Sequence, residues 1–209
     1  RSRVVGYGAG VFYITAGGTE KMKEEKKVGV DLGLSEQDKK NLHQIAKAVI
    51  ENKVRGKSVP EFKIDSPTLK ENRGAFVTIN KKGQLRGCIG YIEGRGPLYR
   101  TIEEMAEAAA LRDPRFMPVT EKELSDLEIE ISVLTPLRKI TDVNEIQVGK
   151  HGIYIKKGWN SGLLLPQVAT EYGWDRQTFL DHTCQKAGLP SNAWKEKDTE
   201  IYIFSADIF

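Results

Sequence analysis

The pattern of apolar and polar positions divides the chain into two unequal parts. From about residue 35 onward, apolar residues recur with clear helical or strand periods, and upstream they do not. Leu42, Ile45, Ala46, Val49 and Ile50, with Lys53, repeat at helical spacing. Ser35 stands at the N-cap before them, with Asp38 three residues on as in a capping box, so a helix is predicted here. Residues 74–80 (GAFVTIN) and 84–92 (QLRGCIGYI) read as strands joined at residues 80–83, where Gly83 is free to take positive φ, and together they predict a hairpin. A second helix is predicted over residues 98–111, with Ile102, Met105, Ala106 and Ala109 on one side; the alanines at 108–110 let another element approach closely, and Asp113 and Pro114 stop it. Residues 121–126 read as a short helical turn. Residues 127–135 alternate cleanly, with Leu127, Ile129, Ile131 and Val133 on one face and Glu128, Glu130 and Ser132 on the other. Residues 148–157 and 161–165 form another strand pair. Pro166 opens a short helix to about Tyr172, and Asp175 caps a helix that ends at Ala187 before Gly188. Residues 199–206 read as a last strand. Strands and helices mix without a regular βαβ rhythm, which predicts an α+β fold.

The first part reads differently. Residues 4–14 (VVGYGAGVFYI) suggest a short strand, and residues 15–33 mix Gly, Lys and Glu as a linker does. The expected layout is a strand and tail over 1–18, a charged linker over 19–34 and one domain over 35–209. The start lacks an initiator Met and a secretory signal pattern, as a fragment or processed chain would. With 209 residues and 39% hydrophobic content, there is material for one substantial core. No apolar run approaches the ~18 residues of a membrane span. Cys88 and Cys184 lie far apart, which excludes a disulfide framework and zinc-ligand spacing and fits a reducing compartment; the cytoplasm is expected, with no metal or cofactor. Residues 1–34 hold six Lys/Arg against four Asp/Glu, and the remainder 26 against 25, summing to +3. The nearly neutral body argues against a nucleic-acid binder.

Candidate chemistry gathers on a few positions, each with a plain structural reading beside it. Cys88, between Gly87 and Gly90, is either a nucleophile whose small neighbours admit a substrate or a buried small hydrophobe in a close-packed strand. A nucleophile needs a base, and His151 is the best placed of three histidines by its glycine-flanked setting; it also reads as a turn residue. Arg86, two residues from Cys88, shares its face in a regular strand and is either an anion clamp or a partner of Glu128 or Glu130. Glu128 and Glu130, with Ser132, offer acid–base work or a hold on a divalent ion, or simply a solvated face. Asp113 and Arg115 form a rigid turn with an internal ion pair or line a cleft. His43 and His182 read as surface residues, and Trp159, Trp174 and Trp194 as core or cleft walls.

Several segments in order resemble the AMMECR-one domain family (Alport syndrome, mental retardation, midface hypoplasia and elliptocytosis chromosomal region protein). They are residues 85–90 (LRGCIG), preceded by 74–78 (GAFVT), then 113–118 (DPRFMP), 128–136 (EIEISVLTP), 149–153 (GKHGI), 164–168 (LLPQV), 173–175 (GWD) and 184–189 (CQKAGL). The resemblance spans roughly residues 35–209. It implies a two-lobed α+β domain, with the LRGCIG segment near the cleft between a larger and a smaller lobe, in a family whose activity is unsettled. It also implies partners: a Memo-like protein or domain, similar to extradiol dioxygenases, and a radical-SAM protein. Residues 1–18 resemble the tail of such a Memo-like domain. The expected function is binding or processing of a small polar or anionic ligand in the cleft. Cys88, His151 and Glu130 are then the candidate catalytic groups, and Arg86, Gly87, Gly90, Asp113, Arg115, Glu128 and Ser132 the candidate ligand contacts. A non-catalytic protein–protein module and an RNA-binding domain are the alternatives.

Overall fold

The computed structural model describes residues 30–209 and the backbone of Val4–Val5. Most of the expected tail and linker therefore lies outside the described residues. Among the described residues, nine strands form two antiparallel sheets, with four α-helices and short 3-10 turns between them. β1 (Val4–Val5), β2 (Ala75–Lys81), β3 (Gln84–Tyr91), β4 (Leu127–Leu134) and β9 (Ala206–Ile208) make the first sheet, in the order β1-β3-β2-β4-β9. β5 (Arg138–Ile140), β6 (Gly152–Lys157), β7 (Asn160–Leu164) and β8 (Glu200–Phe204) make the second, in the order β5-β8-β6-β7.

The period-2 pattern decides what each face of the first sheet meets. Ala75, Val77, Ile79, Ile89, Tyr91, Ile131 and Val133 form one core with α1 (Glu36–Val54) and α2 (Leu98–Leu111). α1 starts at the expected capping box: the Ser35 hydroxyl accepts the Asp38 N–H at 3.1 Å, and Asp38 accepts the Ser35 N–H at 3.2 Å. On the opposite face Phe76, Cys88 and Leu134 join a second core. Ile153, Ile155, Leu163, Ile201 and Ile203 of the second sheet belong to it, as do residues of α3 (Pro166–Glu171) and α4 (Arg176–Lys186). The first sheet with α1 and α2 is the larger lobe, and the second sheet with α3 and α4 is the smaller one.

Two chain crossings join the lobes. β4 leaves the first sheet and continues as β5 in the second; β8 leaves the second and continues as β9 in the first. The strand expected over 199–206 is thus two strands with a change of sheet at Ser205. The crossings are clasped together, since Thr135 N–H donates to the Ser205 carbonyl and Ser205 N–H to Thr135 Oγ1, both at 2.9 Å.

β2 and β3 form the expected hairpin, turning at Lys82 and Gly83. Its register slips once: Ile79 faces Gly87 and Asn80 faces Leu85, so Arg86 is the extra residue of a β-bulge.

Candidate functional site

The hairpin register and the β2–β4 register place Cys88, Thr78 and Glu130 in one row across three strands, with Gly90, Phe76 and Ser132 in the next. Both rows face the smaller lobe. The Thr78 hydroxyl lies 3.2 Å from Cys88 Sγ. The sulfur is 0% exposed, and burial pushes the thiol up to about 11, more than the Thr78 hydrogen bond and the Arg115 charge can offset.

The glycines beside Cys88 do not open a hollow. A Cβ at Gly87 would stand 2.2 Å from the Ala109 carbonyl oxygen, so the bare backbone of β3 is packed on α2. One at Gly90 would stand 2.3 Å from the Phe76 ring, which covers it. These contacts take the place of the substrate access expected there.

The edge of β3 at Cys88 is closed by the loop after α2. Cys88 N–H donates to Asp113 Oδ2 at 2.9 Å, and Arg115 Nη2 donates to the Cys88 carbonyl at 3.3 Å. Arg115 also holds both Asp113 oxygens, at 3.0 and 2.7 Å. Burial works to raise the Asp113 carboxyl, but these hydrogen bonds outweigh it and hold the group below its ordinary range. The expected internal ion pair is present, and it serves as a surrogate strand for β3.

Arg86 does not share the Cys88 face, because the bulge re-aims it. Its guanidinium pairs with Glu123, through Nε at 3.1 Å, and not with Glu128 or Glu130. Arg86, a Thr120 N–H and Lys81 hold Glu123 far below the usual carboxylate range. Glu128 is exposed at the solvent end of the same sheet face. His151 lies in the turn before β6, where Nδ1 accepts the Gln147 N–H at 3.2 Å. Burial and then the Lys150 charge lower it, and its ring is hydrogen-bonded to Gln147 whereas the Cys88 thiol is hydrogen-bonded to Thr78. The thiol and the imidazole are therefore not brought together as nucleophile and base.

Groups that the sequence reading left without a role complete the neighbourhood. Gln167 of α3 reaches the first sheet, with Nε2 donating to Glu130 Oε1 at 3.2 Å and to Ser132 Oγ at 3.4 Å. Its own Oε1 is buried without a hydrogen-bond partner. Desolvation raises the Glu130 carboxyl against the Gln167 hydrogen bond. Glu171, at the end of α3, is exposed as a residue, yet desolvation of its carboxyl and the Glu130 charge push it up to about 7. Lys186 of α4 is lowered to about 8 by desolvation and by Arg115, and it lies within electrostatic reach of Cys88 and Asp113. The sulfur thus stands in the field of Glu130 on one side and of the Arg115–Lys186 side on the other. The motifs LLPQV and CQKAGL carry the signal for two of these groups: Gln167 is the one polar side chain of the first, and Lys186 follows Gln185 in the second.

A groove of about 400 Å³ beside α3 and α4 is lined by Tyr172, Trp174, His182 and Lys186, among others. Trp174 is the wall residue expected and Trp194 packs on the second core, but Trp159 is fully exposed at the β6–β7 turn. Among the described residues no group of three or more His, Cys, Asp and Glu is placed to hold a metal ion, and no helix is long and apolar enough to cross a membrane.

Comparison with known proteins agrees with this architecture. The AMMECR1 family model matches residues 43–209. A protein of Methanothermobacter thermautotrophicus is 45% identical over 183 residues, covering 84% of this chain and 95% of that protein. A protein of Nanoarchaeum equitans is 43% identical over 176 residues, covering 81% of this chain and 98% of its own length. The crystal structure of an uncharacterised protein from Pyrococcus horikoshii is similar with a TM-score of 0.77 and 42% identity, over 80% of this chain and 88% of that one. With its LRGCIG strand set at the junction of two lobes, the chain belongs to the AMMECR1 family.

Proposed function

We propose that this domain binds a small polar ligand non-covalently at the seam between its lobes, with Glu130, Gln167, Glu171 and Lys186 as the contacts. The observation that carries the reading is Gln167 Oε1, a buried acceptor with no partner. Such an orphan costs about 1–3 kcal/mol, a cost that a donor from a ligand removes. The flanking acids support it. Glu130 and Glu171 both hold their protons more tightly than usual, and Glu171, at about 7, can donate to or accept from a ligand near neutral pH. Lys186 supplies the cation for an anionic group. Cys88 serves this reading as a packed element of the wall and not as a nucleophile.

The test is a titration by NMR with glycine, succinate and glycerol phosphate, read at the side-chain amide of Gln167. One of the three should shift that amide saturably, and Glu130→Gln should weaken the effect. Silence of the amide toward all three, with the fold intact, would end the proposal.

A second reading draws on Trp159, which stands fully exposed at a hairpin tip beside Lys156 and Lys157. An unpartnered Trp is the residue type that anchors protein interfaces. On the family resemblance its partner is the Memo-like protein or domain, with the radical-SAM protein acting on the same ligand. Trp159→Ser should abolish co-elution with a Memo-like protein; unchanged co-elution removes this reading.

A further inference from the structure

The first turn of α3 is buried: Pro166, Gln167, Val168 and Ala169 are all covered. Gln167 is its polar member, 7% exposed, and a buried amide needs partners for its oxygen as well as its nitrogen. Only the nitrogen has them, at Glu130 Oε1 and Ser132 Oγ. The carboxylate fixes the direction of the amide, since turning it over would set oxygen against oxygen. Oε1 is left without a partner. One amide group separates it from Nε2, so it lies within about 5.5 Å of Glu130 Oε1.

Glu171 stands four residues after Gln167, one turn on and along the same side of α3. The Glu130 charge reaches it. Two carboxylates and a free amide oxygen therefore gather from β4 and α3. Among the described residues neither carboxylate has an ion-pair partner: burial and the Gln167 amide act on Glu130, and burial and Glu130 act on Glu171. Glu130 is half-buried and Glu171 exposed, so the cluster meets water at the C-terminal end of α3.

Such a cluster calls for positive charge and hydrogen-bond donors in one group. A divalent ion supplies only the charge, and it wants about six to eight oxygen ligands, more than gather here. A protonated primary amine supplies one charge and three N–H donors, matching three acceptors. Its charge-assisted bonds of about 2.7–2.9 Å let it bridge oxygens about 4.5–5.5 Å apart. We infer that the ligand of the seam carries a primary ammonium group, whose three N–H bonds go to Gln167 Oε1, Glu130 and Glu171. The inference rests on the seam-binding reading and names the chemical class that the seam takes.

The whole chain is titrated by NMR at pH 8, where Glu171 has largely lost its proton and an alkylamine keeps its own. The probes are propylamine, 1-propanol (similar size, no charge), tetramethylammonium (charge, no N–H) and calcium chloride. Propylamine should shift the Gln167 side-chain amide saturably and bind about tenfold or more tighter than propanol or tetramethylammonium. Glu171→Gln, a change at an exposed residue, should weaken propylamine about threefold or more with an unchanged circular dichroism spectrum. Three results each overturn the inference: a control that matches propylamine, calcium shifting the amide while propylamine does not, or full affinity in Glu171→Gln. The seam reading is judged separately. Glycine, succinate or glycerol phosphate shifting the Gln167 amide while propylamine is silent keeps that reading and removes the amine. Silence toward every probe removes both.

Discussion

At the residue scale, burial decides what Cys88 can do. A thiol reacts as its thiolate and only where a reagent reaches it. The sulfur is fully covered, and its proton is held up to about 11. Cys184 is also buried and its thiol is raised, by desolvation first. Iodoacetamide should therefore label neither cysteine in the native protein up to about pH 9, and both in denaturant. Stoichiometric alkylation of Cys88 under native conditions would show an opening that the packing does not contain. Glu171 makes a prediction of the opposite kind, because its group titrates in reach of ordinary buffers. Its folded value, about 7, exceeds the ordinary value of 4.5, so the folded state holds the proton more tightly than the unfolded one does. This contribution to stability is fully present below pH 4.5 and is lost as pH rises to about 7. Glu171→Gln mimics the protonated form. Its urea midpoint relative to wild type should climb across that window and level off above it. A constant difference between the two proteins would mean that Glu171 is not perturbed.

At the element scale, what was legible was local and what was hidden was tertiary. The Ser35–Asp38 box, the span of α2 and the alternation of β4 all follow from residues within a few positions of one another. The bulge at Arg86 does not, because nothing in LRGCIG marks which residue the partner strand will skip. The expected shared face of Arg86 and Cys88 failed there. The small residues do mark close approach, but what approaches is protein backbone and not a substrate. Gly87 instead meets the backbone of α2 at Ala109, where the run of alanines permits contact. Gly87→Ala places a methyl group 2.2 Å from a backbone oxygen that belongs to a helix and cannot swing aside. The sheet and α2 must part, at a cost of about 1–3 kcal/mol or more. Gly96→Ala is the control, since its Cβ meets nothing within 4 Å; it should stay within about 0.5 kcal/mol of wild type. Urea denaturation of both variants measures the contrast. Equal stabilities would refute the packing role of Gly87.

At the scale of the whole molecule, the seam that holds the candidate site is also what makes two lobes one folding unit. A lobe with its own core can unfold alone when its interface is small. Here the interface is not separable from the cores. Phe76, Cys88, Leu134 and Ala206 come from strands of the first sheet, yet they pack in the cluster that supports the second. The chain also crosses between sheets twice, and the crossings bond to each other through Thr135 and Ser205. No local pattern announces such crossings: 199–206 reads as one strand because each half alternates correctly, and only the change of partner at Ser205 divides it. The same blindness hid Gln167 and Lys186, which reach the LRGCIG face from the other lobe. The consequence can be measured because all three tryptophans, Trp159, Trp174 and Trp194, lie in the smaller lobe, whereas α1 and α2, with 19 and 14 residues, supply most of the helical signal from the larger. Tryptophan fluorescence and far-ultraviolet circular dichroism should report the same midpoint in urea. Thr135→Val removes the acceptor of the Ser205 N–H at near-constant volume, leaving a part-buried donor unpaired at a cost of about 1–3 kcal/mol. It should lower both midpoints by the same amount. Were the fluorescence midpoint to fall while the circular dichroism midpoint stayed, the lobes would be independent units, and a ligand contacting both would have to assemble its own site.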